Sequence, residues 1–183
     1  MSTASGWSKA GWLTAALSVL LATGTVQASD SARHEAQALE KAKTSLTEAV
    51  RAAEKQGNGQ ATSAEYVFKS GNPAYYEVKV LSNDGQRLTR YELNASTGEV
   101  RKADDEKFEK LFTRLKPAAI QNAPTSLTRA ITTAETRSGG KAREATVNRD
   151  GDQVQYDVEV VKLDGSSEKL KINGADGKVA SAK

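Results

Sequence analysis

Two segments of the chain carry apolar residues at the three- and four-residue spacing of an amphipathic helix. The first has Leu46, Ala49, Val50 and Ala53, and residues 127–134 repeat the same spacing with Leu, Ala, Ile and Ala. This spacing places one apolar stripe along a helix. Because the stripe is mostly alanine, each predicted helix can lie close against a sheet.

Short segments that alternate apolar and polar residues follow each predicted helix. Such alternation, bounded by turn residues such as Asp84-Gly85, is typical of antiparallel strands. The predicted strands are 64–69, 75–81, 87–93 and 99–101 in the first half, and 143–149, 154–161, 167–172 and 178–180 in the second. The alternation places Tyr76, Val78 and Val80 on the face that the helix covers.

The two halves of the chain repeat each other in the same order. The matching segments are TSLT at 44–47 and 125–128, YEVKV at 76–80 and YDVEV at 156–160, and LNASTGEV at 93–100 and INGADGKV at 172–179. Several matches about 80 residues apart indicate a tandem duplication. We therefore predict an α+β fold of two tandem repeats, 38–103 and 119–183. Each repeat is expected to be a helix packed on a three- to four-stranded antiparallel sheet.

Two further helical segments are predicted around the first repeat. Residues 104–118 link the repeats, and their apolar residues fall on one helical stripe that ends at Pro117. This linker helix is either a connector packed on the sheet of one repeat or a helix that binds a partner. Residues 32–43 also favour a helix, which we expect to extend the first helix of the repeat.

Residues 1–28 have the pattern of a signal peptide. Lys9 precedes an apolar stretch at 11–22, which is shorter than the ~20 residues that a bilayer requires. Val26 and Ala28 are small residues at the −3 and −1 positions of a cleavage site. We expect cleavage after Ala28 and export to a bacterial periplasm or the exterior, with no stable membrane anchor left. An uncleaved N-terminal anchor is the alternative.

Composition argues against several classes of function. The 26 basic and 23 acidic side chains give a net charge of +3, which argues against a nucleic-acid-binding protein. The chain has no cysteine and one histidine, His34, so disulfides and cysteine-bound zinc are excluded and no Ser-His-Asp triad can be defended. We therefore predict that the protein is not an enzyme and has no catalytic, metal or cofactor site.

Two short motifs are interpreted as turns. Residues 150–152 (DGD) lack the spaced acids and the final glutamate of a calcium loop. Residues 94–96 (NAS) satisfy the glycosylation triplet, but they lie in a predicted turn of the first repeat. We expect His34 to be an exposed, solvated side chain.

The order of these motifs resembles that of the PepSY domain family. The resemblance rests on a small-residue helix that begins Ser-Leu-Thr, a Tyr-(Glu/Asp)-Val-x-Val strand, an Asp-Gly hairpin and a closing Asn-Ala-x-x-Gly-x-Val segment. The second repeat departs from this pattern at Gly174 and Asp176. PepSY modules occur in propeptides of thermolysin-like metallopeptidases and in secreted or membrane-attached bacterial proteins. The resemblance implies a protein partner, in particular an extracytoplasmic peptidase, and it implies no catalytic residue.

The strand face opposite the predicted helices is the candidate contact surface. Tyr75, Glu77, Lys79 and Leu81 share this face in the first repeat, as Val161 does in the second. A mixed aromatic and charged surface suits a partner protein, whereas packing against the linker helix would give these residues a purely structural role. We expect a binding module that modulates or inhibits a peptidase or another envelope protein. The alternative is a periplasmic sensor or carrier of a small ligand, which requires a closed pocket.

Overall fold

The computed structural model describes residues 29–106, 116–150 and 153–180. The helices are α1 (Asp30–Lys41), α2 (Leu46–Gly57), α3 (Pro117–Gln121) and α4 (Leu127–Ser138), and the strands are β1 (Gly59–Val67), β2 (Tyr75–Ser82), β3 (Leu88–Asn94), β4 (Val100–Glu106), β5 (Lys141–Asp150), β6 (Gln153–Val161) and β7 (Ser167–Asn173). The predicted signal peptide and residues 107–115 of the predicted linker helix lie outside the described residues. So do residues 151–152 of the DGD motif.

Both predicted repeat helices are confirmed, and capping explains where they begin and end. α2 begins after a capping box, in which the Glu48 N–H donates to Ser45 Oγ at 3.2 Å and the Ser45 N–H donates to Glu48 Oε2 at 2.7 Å. Asn58 caps the C-terminus of α2 and Gly139 caps that of α4, and both residues have left-handed backbone angles. No helix within the described ranges has the length and apolar content needed to cross a membrane.

The predictions for α1 and β4 are wrong, β1 begins at Gly59 rather than at 64, and the predicted strand 178–180 is a single bridge at Val179. α1 is a helix of its own rather than an extension of α2, because Ala42 has extended backbone angles and ends it. β4 covers Val100–Glu106 and is longer than predicted, so residues 104–106 are strand and not helix. In β4 Asp104 lies opposite Arg90 of β3, and this pairing with a neighbouring strand outweighs the local helical pattern.

The strands of the described residues form one antiparallel sheet with the order β4-β3-β2-β1-β5-β6-β7. The strands of each half are neighbours, and β1 pairs with β5 to join the halves edge to edge. At this seam Ala64 lies opposite Ala145, and Glu65 lies opposite Glu144. Ala64 and Ala145 hold the same position in the two predicted repeats, so a local two-fold axis passes between them. That the two repeats share one sheet was not predicted from the sequence.

The hydrophobic core lies between this sheet and the helices α2 and α4, which contact each other on one sheet face. Tyr76 and Tyr156 point into the core, as predicted, together with the alternating valines of their strands. Their hydroxyl groups donate hydrogen bonds to the carbonyl oxygens of Thr44 and Thr125, which lie just before α2 and α4. The same contact therefore fixes each helix to the sheet in both halves.

The segments that precede α2 and α4 reach from one half of the molecule to the other. Leu39 of α1 is 3 % exposed and borders the same cleft as Ala142 of β5. Ile120 of α3 is also 3 % exposed and borders a cleft with Ala61 of β1. These reciprocal contacts tie the halves together in addition to the seam.

Candidate functional site

The sheet face opposite α2 and α4, which we call the open face, carries the residues predicted to contact a partner. Tyr75, Glu77 and Lys79 lie on it, and each is partly exposed. Leu81 and Val161 lie on the same face but are buried, with exposures of 0 % and 9 %. The prediction that these two residues offer an exposed contact is therefore wrong. Both lie near the ends of their strands, where α3 and α1 contact the hairpins that follow.

The ring of Tyr75 is held in place by a cation. The guanidinium carbon of Arg101 lies 4.3 Å from the centroid of the ring, in the position of a cation–π contact. The Nη2 atom of Arg101 lies 3.3 Å from Glu92 Oε2, which fixes the guanidinium in turn. A ring that is already fixed loses little conformational freedom on binding, so Tyr75 is suited to anchor a partner.

Five glutamates form a row across the strands of the open face. Glu77 lies opposite Glu92 on one side and opposite Glu65 on the other. Glu65 lies opposite Glu144 across the seam, and Glu144 lies opposite Glu159. Directly opposed residues share a face of a sheet, so this glutamate row spans β3, β2, β1, β5 and β6. The row was not predicted, because the sequence shows glutamates at alternate strand positions but does not show the register between strands.

Nearby cations offset the charge of the glutamate row unevenly. Burial alone would raise the pKa of Glu159, but Arg143 at 2.9 Å and Lys169 at 3.4 Å outweigh it and hold this pKa below its usual value. At the centre of the row, burial and then the charge of Glu144 raise the pKa of Glu65. Arg101, Arg90 and Arg143 lie within 4.0 Å of Glu92, Glu77 and Glu144. Because like charges placed directly opposite each other destabilise a sheet, the repulsion that remains is centred on Glu65.

Lys79 belongs to an ion-pair network on the open face of β2, β3 and β4. Its Nζ lies 3.9 Å from Glu106 Oε2. Arg90, which lies opposite Lys79 on β3, is 3.2 Å from both Asp104 and Glu106 of β4 and 4.0 Å from Glu77. Partly exposed ion pairs contribute little stability one by one. Together these pairs restrict the side chains around Glu77.

The open face of the second half has a shallow depression with a volume of about 350 Å³. Charged side chains of both signs surround it, among them Glu144, Asp157, Glu159, Lys169 and Lys171. It is a surface depression and not an enclosed cavity, whereas small-ligand sites usually bury most of the ligand.

The remaining predicted features have plain structural roles. His34 is exposed on α1, as predicted. The NAS segment is a turn, as predicted, in which the side chain of Asn94 accepts a hydrogen bond from the Ser96 N–H at 2.8 Å. Among the residues that the structure describes, no group of three or more acidic or histidine side chains could hold a metal ion.

Comparisons with known proteins match part of the chain to one family. Residues 43–104 match the model of the PepSY family, the peptidase propeptide and YPEB domain. No curated protein matches the chain. A solved structure of a candidate lipoprotein from Clostridium difficile 630 has 17% sequence identity and a TM-score of 0.49, and the match covers 80% of this chain and 97% of that one. The YpmB protein from Bacillus subtilis has 18% identity and a TM-score of 0.30, with coverages of 73% and 93%.

Proposed function

We propose that this protein, whose residues 43–104 are a PepSY domain, is a non-enzymatic binding module that acts outside the cytoplasm. It modulates a peptidase or another envelope protein by direct contact. The description of the family, which names peptidase propeptides, supports a peptidase as the partner. The signal-peptide pattern of residues 1–28 supports a periplasmic or secreted location.

The open face is the surface proposed for this contact, and the glutamate row is the observation that carries the proposal. The row keeps like charges directly opposite each other on five neighbouring strands, although this arrangement destabilises a sheet. Glu65 at the centre of the row lies between Glu77 and Glu144, and a lysine or arginine side chain of a partner placed beside it would relieve this repulsion on binding. The expected partner therefore presents a basic surface.

Tyr75 is the proposed anchor of the contact. Aromatic side chains dominate the binding energy of protein interfaces, and Arg101 already holds this ring in one position. Glu77 and Lys79 follow on the same face of β2, and charges at such positions select a partner more than they add affinity.

Affinity capture from a periplasmic extract tests the proposal with matched variants. Tyr75→Ala should weaken retention of the partner by about 2 kcal/mol or more, with little change in melting temperature. Glu65→Gln removes one charge at the centre of the row and keeps the size of the side chain. This variant should also weaken retention of the partner. Tyr76→Ala is the control on the adjacent residue. It removes a fully buried ring and should lower the free energy of unfolding by about 3–5 kcal/mol.

The outcomes separate the candidate functions. A retained peptidase that is lost in both Tyr75→Ala and Glu65→Gln supports the proposal. A partner retained equally well by both variants would place the contact away from the open face. If Tyr75→Ala unfolds the protein and Tyr76→Ala does not, the assignment of the strand faces is inverted. A small molecule that co-purifies instead of a protein favours the ligand-carrier alternative.

A further inference from the structure

A bulge in β5 places an arginine beside the glutamate row. Ala142 lies opposite Val160 and Glu144 lies opposite Glu159, so Arg143 is an extra residue between the two pairs. Its side chain reaches the open face, where Nη2 is 2.9 Å from Glu159 Oε2 and 4.0 Å from Glu144 Oε2. A bulge re-aims a side chain out of the regular alternation of a strand, and this one brings a cation to the row.

The first half has the same bulge with a different side chain. In β1 the pairing shifts between Ala61 and Ser63, so Thr62 holds the position that Arg143 holds in the second half. Thr62 is 1 % exposed, and its hydroxyl donates a hydrogen bond to the Lys79 carbonyl oxygen at 3.3 Å. The bulge is therefore common to both repeats, whereas the arginine is specific to the second.

Arg143 also contacts α1 and connects that helix to the glutamate row. Its Nη1 lies 3.6 Å from Glu35 Oε1 of α1, while its Nη2 is the atom that contacts the row. The buried residues of α1 are Ala36 and Leu39. A helix with so small an apolar contact depends on its polar contacts for its position.

The charge of Glu35 reaches the centre of the row. Burial and the charge of Glu144 raise the pKa of Glu65. Glu77 and Glu35 raise this pKa further, and Arg143 opposes them by lowering it. Arg143 therefore weakens the negative charge of the row, and Glu35 competes with the row for Arg143.

We propose that Glu35 of α1 is a positioning residue for the contact at the open face, because it holds Arg143 and leaves more of the negative charge of the row to a basic partner. This inference rests on the proposed function, since it concerns the same surface. Complementary charges across an interface select the partner, so the position of α1 becomes part of that selection. Coupling between two sites is reciprocal, and a basic partner on the row therefore also favours the docked position of α1.

The same helix offers a matched control. Glu40 lies 3.6 Å from Lys141 of β5, the same distance as that between Glu35 and Arg143. Lys141 lies opposite Val161 and not opposite a glutamate of the row. Glu35→Gln and Glu40→Gln therefore remove the same charge from the same helix and the same kind of ion pair to β5. Only Glu35→Gln releases the cation that contacts the row.

The first measurement needs no partner. In a heteronuclear NMR titration of the full-length mature protein, the Glu65 carboxyl should titrate with a lower midpoint in Glu35→Gln than in the parent. Glu40→Gln should leave this midpoint unchanged. An ion pair that only holds α1 in place would give the same midpoint in both variants, and that result would overturn the inference.

The second measurement uses tetralysine with blocked ends as a basic probe, at low salt, where exposed charges are screened least. Binding is followed by the amide shifts of β1 and β5. Glu65→Gln should weaken binding, which places the probe on the row. Glu35→Gln should weaken it about two- to fivefold, and Glu40→Gln should leave it unchanged. Glu35→Asp keeps the charge and should restore most of the affinity.

The outcomes distinguish this inference from the proposed function. If Glu65→Gln weakens tetralysine binding and Glu35→Gln does not, the role of Glu35 is overturned and the proposed contact stands. Equal weakening by Glu35→Gln and Glu40→Gln would show a general effect of net charge and would also overturn it. If tetralysine shifts no amide of the row in the parent, the proposed basic partner is wrong and the role of Glu35 with it.

Discussion

Replacement of Leu39 by alanine tests whether the two halves of the molecule stabilise each other. Leu39 precedes α2 of the first half, but it is 3 % exposed and borders a cleft with Gly140 and Ala142 of the second half. A buried Leu→Ala change usually lowers the free energy of unfolding by about 2–5 kcal/mol. Because Leu39 lies beside a cleft that can partly close, we expect about 2–3 kcal/mol. For a domain of this size, that loss lowers the melting temperature by about 4–12 °C.

The assay is denaturant unfolding followed by circular dichroism, with amide hydrogen exchange read strand by strand. Leu163→Ala is the control for the same chemical change, because Leu163 is 63% exposed, and it should alter stability by less than about 0.5 kcal/mol. In Leu39→Ala, amides of β5 should exchange faster, because α1 contacts β5. Unfolding of the parent in two separate transitions, or unchanged exchange in β5 of the variant, would show that the two halves do not stabilise each other.

Two further predictions concern Glu54, which is partly buried, and Gly174, which is buried. Burial raises the pKa of Glu54, whose side chain accepts a hydrogen bond from the Ala61 N–H at 2.9 Å. The stability that Glu54 contributes is therefore fully present below its unfolded-state pKa. This stability is lost as pH rises through the raised pKa of the folded state. Glu54→Gln keeps the acceptor and removes the charge, so the variant should gain stability over the parent as pH rises from about 4 to about 8 in denaturant unfolding; parallel profiles would contradict this. Gly174→Ala should destabilise by about 1–3 kcal/mol, because an added Cβ would lie 2.4 Å from the carbonyl oxygen of Val154. Gly139→Ala is the control, because nothing lies within 4 Å of an added Cβ there, and backbone strain should lower its stability by only about 1–2 kcal/mol. A higher melting temperature for Gly174→Ala than for Gly139→Ala would argue against the close contact at Gly174.

Local features of the fold could be predicted because they depend on residues close together in the chain. The spacing of Leu46, Ala49, Val50 and Ala53 predicts α2, and the structure has this helix with the four residues buried. The alternation along β2 predicts that Tyr76 is buried while Tyr75 lies on the opposite face, and the structure agrees. These features need no knowledge of which strands are neighbours.

The seam and the glutamate row could not be predicted, because both depend on register between distant strands. Ala64 and Ala145 are fully buried at the seam, but in the sequence they look like any small residue that faces a helix. The length of β4 was not predicted, because residues 104–106 have a helix-like pattern in the sequence. Their pairing with β3 makes them a strand, and this pairing depends on the three-dimensional structure. The burial of Leu81 has the same origin, since it depends on how distant segments pack at the end of a strand.

The seam between β1 and β5 has a consequence for how the molecule assembles. Antiparallel strands that pair around equivalent residues, as Ala64 and Ala145 do, form the kind of contact that two identical subunits make across a two-fold axis. Two separate copies of one half could build this seam only at sufficient protein concentration, whereas a single chain holds its halves at an effective concentration in the millimolar range. Identical subunits would also have to end in identical strands. A single chain is free of that requirement, so one outer edge of its sheet can be β4 and the other β7.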